Sequence, residues 1–106
     1  MNKAQRIRTP QGDFPKGEHI VWIGNGQHDG VNLGYLQSPS VQVDCAPTAA
    51  ITFEGSFDGE NWSVIRDKEG EVVRIIKDGM YRLPVAVVHV RPVSQAAIVV
   101  RLFIQR

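Results

Sequence analysis

Apolar side chains recur at every second position through most of this chain. Val41, Val43 and Cys45 alternate with Gln42 and Asp44, and Ile98, Val100, Leu102 and Ile104 share one parity in the last apolar stretch. A period of two is the signature of a β-strand with one buried face. The same pattern, with β-branched and aromatic residues, predicts strands over 19–23, 31–36, 41–45, 49–56, 62–66, 71–76, 80–83, 85–91 and 96–104. Between them lie turn formers: the glycine-rich 24–30, Ser38-Pro39-Ser40, Ala46-Pro47-Thr48, Asp67-Lys68-Glu69-Gly70, Lys77-Asp78-Gly79 and Ser94-Gln95. Pro92 lacks the N–H that a ladder needs and is expected to close the strand before it.

One turn is more explicit than the rest. Ile51 to Ile65 reads as a strand, an Asp58-Gly59 turn and a second strand entered through Trp62, because Gly and Asp tolerate the positive φ angles of tight hairpins. No stretch carries a 3.6-residue period. The expectation is all-β: a single antiparallel β-sandwich, jelly-roll-like, of about eight strands, over residues 19–106. Residues 1–18 hold four basic and two acidic side chains, two prolines and two glycines with little periodicity, and read as an extended, irregular N-terminal arm. Fully drawn out, such an arm reaches about 60 Å.

Composition narrows the function classes. With 106 residues there is room for one core, and 42% hydrophobic against 22% charged residues is ordinary globular usage. Twelve Lys and Arg against eleven Asp and Glu give a net charge of +1, without the broad basic face of a nucleic-acid protein. The longest uncharged apolar run, 83–88, is far short of the roughly 20 residues of a membrane-spanning helix. The N-terminus resembles no secretory signal, and Cys45, the single cysteine, closes no intramolecular disulfide.

Candidate chemistry is sparse. Motifs of the GxSxG, HExxH and phosphate-loop kinds are absent, so neither a catalytic residue nor a cofactor or metal ligand is expected. Cys45 with His19, His28 or His89 has the types of a thiol nucleophile and base, but an inward Cys on a strand reads as a small core residue. His28-Asp29, Asp58 and His89 read as turn or structural positions. Core packing is expected for Trp62 and Tyr81, whereas Trp22 and Tyr35 fit either a core or a sugar-stacking surface. The last strand's second face, with Ala97, Val99, Arg101 and Phe103, is more apolar than a solvated face requires.

The spacing Phe53-x-Gly55-Ser56-x-Asp58-Gly59-x-x-Trp62 resembles a hairpin found in discoidin-like domains, which are longer, secreted and often disulfide-bonded. It also resembles small β-sandwich virion proteins of tailed bacteriophages. There a similar hairpin is followed by a charged Gly turn, a Tyr strand and a final Arg-containing strand pair. The corresponding residues are Lys68-Glu69-Gly70, Gly79-Met80-Tyr81, Val88 to Arg91 and Ile98 to Arg101, a resemblance covering about residues 48–104.

What that resemblance implies is a non-enzymatic virion structural protein, such as a capsid decoration (cement) protein, present in the host cytoplasm during assembly. Its partners would be itself, as a homo-oligomer such as a trimer, and other virion proteins such as the major capsid protein, with neither nucleic acid nor membrane. Ile7, Arg8 and Phe14 in the arm, with Arg101 and Phe103, are the expected interface residues. The alternative is a carbohydrate-binding sandwich in a tail or receptor-binding part, with Trp22, His28 and Tyr35 as glycan contacts.

Overall fold

The final apolar segment is the spine of the molecule. In the computed structural model, which describes residues 5–8, 17–44 and 50–105, it forms one strand, β8 (Val87–Gln105), that pairs with four others. The remaining strands are β1 (Gln5–Arg8), β2 (Gly17–Gln27), β3 (Val31–Gln37), β4 (Ser40–Val43), β5 (Thr52–Ser56), β6 (Ser63–Val64) and β7 (Gly79–Arg82). All their pairings are antiparallel, and the described residues contain no helix. The all-β, sandwich-like class expected from the period-two pattern is therefore the observed one.

Two sets of neighbours flank β8. Its first part pairs with β3 and β5, and its later part with β2 and β4, which extend to β1 and β7 at the edges. From Val90 to Ile104 the even-numbered residues face inward: Val90, Pro92, Ser94, Ile98, Val100, Leu102 and Ile104 are all buried. Against them pack Ile20 and Trp22 of β2, Val31 and Leu33 of β3, Val41 and Val43 of β4, and Phe53 of β5 in one apolar cluster. Burying a side chain of this size contributes about 1.5–3 kcal/mol, so this cluster is the main stabiliser of the fold.

Several boundaries differ from the sequence reading. Pro92 does not end a strand, and Ser94-Gln95 does not turn. Pro92 falls where one flank of β8 passes from β2 (last pair Gln27↔Val93) to β3 (first pair Val31↔Val90), so no ladder bond is lost there. Its carbonyl accepts the His28 N–H at 3.3 Å. Residues 71–76 form no strand. They attach through isolated bridges, with Ile75 and Ile51 exchanging two 2.9 Å bonds and Val73 N–H donating to the Ile65 carbonyl. β2 continues past Ile23 to Gln27 by a bulge between Gly24 and Gly26, whose φ values of 110° and 90° suit glycine.

Within the stretch read as an arm, Gln5–Arg8 are a regular strand on β2, and β2 itself begins at Gly17. Phe14 and Cys45 lie outside the described residues.

Candidate interaction surface

The outer face of β8 carries the odd-numbered residues, and its two halves are finished differently. Over the first half folds the 57–62 loop. This loop is no two-residue hairpin turn: Gly59 has a φ of 80°, but Asp58 does not take a positive φ. Asp58 acts instead through its carboxylate. Oδ1 accepts the N–H groups of Glu60 (2.8 Å) and Asn61 (2.9 Å) and the Ser56 hydroxyl (2.9 Å), while Oδ2 accepts from Asn61 Nδ2 at 2.7 Å. The Asn61 and Glu60 backbone donors, then the Asn61 and Ser56 side chains, hold the carboxyl well below the usual carboxylate range.

That loop delivers Trp62 onto the outside of the sheet. The indole is half-buried, not part of the core cluster as expected. It lies 4.0 Å beneath the Arg91 guanidinium, with His89 edge-on at 6.3 Å. Arg91 Nε donates to Glu54 Oε1 at 2.7 Å, across the direct pair Glu54↔Arg91, and Gln27 Nε2 reaches the same oxygen at 3.3 Å. The Cη2–Cζ2 edge of the indole meets Gly30, where a Cβ would come within 2.5 Å of the ring. Tyr81, by contrast, does pack against the core cluster.

Trp22 and His28 are both completely buried, while Tyr35 is 54% exposed. The trio expected for glycan contact therefore forms no common surface: Trp22 Nε1 donates inward to the Asp29 carbonyl at 2.8 Å, and the ring stays in the core. His28 sits beneath the β2–β3 turn, and neither ring nitrogen has a hydrogen-bond partner of good geometry among the described residues. Burial pushes its pKa below 6.5, opposed by the Gly24 backbone and the Asp29 charge.

The second half of β8 is covered unevenly: Val21 is 6% exposed and Arg101 Nη1 is shielded, whereas Ile23, Gln42, Asp44 and Met80 are exposed. Val21, Arg101, Gln42 and Met80 are successive cross-strand partners through β2, β8, β4 and β7, and so share one face. A shallow groove of about 310 Å³ crosses it, lined by His19, Ser40, Gln42, Met80 and Arg101. Met80 is 77% exposed and Ile23 48%. Arg101 Nη1 lies 3.0 Å from Asp44 Oδ2, an ion pair about one third exposed at both ends. A second concavity, about 280 Å³, lies by the 57–62 loop between Phe57, Val64, Val85 and Val87. Among the described residues no cluster of three His, Cys, Asp or Glu is placed to hold a metal ion, and no helix is long and apolar enough to cross a membrane.

Of the interface residues expected from the sequence, Arg101 lies in this groove. Ile7 and Phe103 are both register partners of His19, and Arg8 pairs with Glu18. Sequence reasoning missed Met80 and Asp44 as members of the same face. The signal was present, since Tyr81 and Leu83 inward imply Met80 outward. What was lacking was the β4–β8 register that brings residues nearly sixty positions apart together.

Comparison with known proteins adds a fold and no activity. The chain is similar to the crystal structure of protein NMB1881 from Neisseria meningitidis, with a TM-score of 0.53 and 12% identity over 96% of this chain and 83% of that one. No family model matches. No curated protein matches either.

Proposed function

We propose that this chain is a non-enzymatic structural protein that works by association, and that its setting is the particle of a tailed bacteriophage, as a capsid decoration protein. Its partners are further copies of itself and other virion proteins such as the major capsid protein. The supporting observation is the outer face of β2, β8, β4 and β7, where Met80 and Ile23 are exposed beside the Arg101–Asp44 pair. Exposed apolar side chains rimmed by polar groups are the ordinary make-up of an assembly surface. The setting itself is supported by the hairpin and Arg-strand resemblance over residues 48–104. Two measurements test the reading: light scattering of the purified protein at micromolar concentration, and co-sedimentation with expanded capsids. A protein that stays monomeric and does not sediment with capsids overturns it.

A further inference from the structure

On this outer face Arg101 and Asp44 lie side by side, with Arg82 beyond Met80 on β7 and Gln42 Nε2 donating to Asp44 Oδ1 at 3.4 Å. Arg101 Nη1 is shielded from solvent yet makes no aligned hydrogen bond among the described residues, its contact with Asp44 being an ion pair at 3.0 Å. Asp44 is held in place by its own N–H donating to the Val99 carbonyl at 3.0 Å, and Val99 pairs with Ile23. The face thus runs from Ile23 and Val99 through Asp44 and Arg101 to Gln42 and Met80.

Such a surface is complementary to itself. A two-fold axis lying in the interface between the two side chains sets Arg101 of one copy against Asp44 of the other, and the reverse, while like charges stay apart. We propose that this face binds a second copy of the chain about such an axis, with Arg101 and Asp44 exchanging partners across the interface and Met80 and Ile23 buried beside them. This deepens, and depends on, the association function proposed above. An occupant of single charge sign would meet its own sign in either Asp44 or Arg101, which favours the second copy.

The test is charge exchange, read by sedimentation velocity. The wild-type protein is expected to dimerise, while Arg101→Asp and Asp44→Arg, each alone, weaken dimerisation at least about tenfold by facing like charges. Mixed one to one, the two variants form a heterodimer. Met80→Asp, at a side chain already 77% exposed, also dissociates the dimer, with the melting curve unchanged at concentrations low enough that the wild type is itself monomeric. A wild-type protein that associates while all three variants associate equally well overturns the proposed face and leaves the association function standing. A monomeric wild type overturns the proposed face, and overturns the association function as well only if the protein also fails to sediment with capsids.

Discussion

Replacing Gly30 by Ala tests whether Trp62 is clamped between the β2–β3 turn and Arg91. A Cβ on Gly30 would lie 2.5 Å from Trp62 Cη2 and 2.7 Å from Cζ2, against the ~3.5–4.0 Å of an ordinary carbon contact. The indole must shift by about 1 Å, which disturbs its stack under the Arg91 guanidinium, 4.0 Å from its centroid, and its edge contact with His89. Overfilling a packed site costs about 1–3 kcal/mol, and the half-buried ring places this one in the lower part of that range. Loosening the cation–π contact adds about 0.5–1 kcal/mol. The expected loss is therefore about 2 kcal/mol, or a melting temperature lower by roughly 8–16 °C for a domain of this size.

The decisive assay is a double-mutant cycle by urea unfolding with Trp62→Leu, whose smaller side chain leaves room for the new methyl. Gly30→Ala then costs below about 0.5 kcal/mol, and the difference between the two backgrounds is the coupling energy. An equal cost in both backgrounds refutes the clamp and puts the strain in the backbone of the turn.

Three further outcomes follow from the same region. Arg91→Gln, which breaks the charge-assisted bonds to Glu54 and the stack on Trp62, lowers unfolding free energy by about 1.5–3 kcal/mol in denaturant melts, and Arg91→Lys recovers only part of it. His28 carries a lowered pKa, so the unfolded chain takes up its proton first. Its contribution is complete above pH 6.5 and is lost as pH falls from there towards the folded value; His28→Leu flattens the fall in stability between about pH 7.5 and pH 5.5, and an unchanged slope refutes the assignment. Asp58→Ala frees the Glu60 and Asn61 amides, read as faster hydrogen exchange confined to the 57–62 loop. In the wild type the Asp58 contribution is present above pH 3.8 and lost as pH falls below it.

How far the sequence carried the fold depended on whether a signal was local. The inward parity of Ile98, Val100, Leu102 and Ile104, and the outward one of Gln42 and Asp44, were legible because alternation is written in consecutive residues. Pro92 misled because its cost depends on what lies beside it, and the hand-over from β2 to β3 is a property of three strands at once. Asp58-Gly59 was rightly read as a turn and wrongly as a φ-driven one, since a carboxylate that gathers two backbone donors stabilises a longer loop equally well. Trp62 was least legible. Its neighbours Ser63 and Val64 alternate as in a strand, but a loop that folds back over the sheet places the indole on the outside.

That fold-back bears on function. β8 has a single inner face along nearly its whole length, yet its outer face is treated in two ways. Where it pairs with β5, the chain supplies its own cover: the 57–62 loop lays Trp62 over Arg91 and His89, and the Arg91 charge is met at 2.7 Å by Glu54. Where it pairs with β4, the cover is uneven, and the equivalent cation, Arg101, meets Asp44 only at 3.0 Å with both partly in solvent. A screened surface pair of that kind contributes at most about 1 kcal/mol, so folding alone gives little reason to hold Arg101, Asp44 and Met80 on one exposed face. Covered by a second subunit, the same residues would lose their water together, and the ion pairs formed across the interface would be stronger for it. The half of β8 whose outer face presents Arg101 beside Met80 is thus the half whose residues gain most from being closed by another molecule.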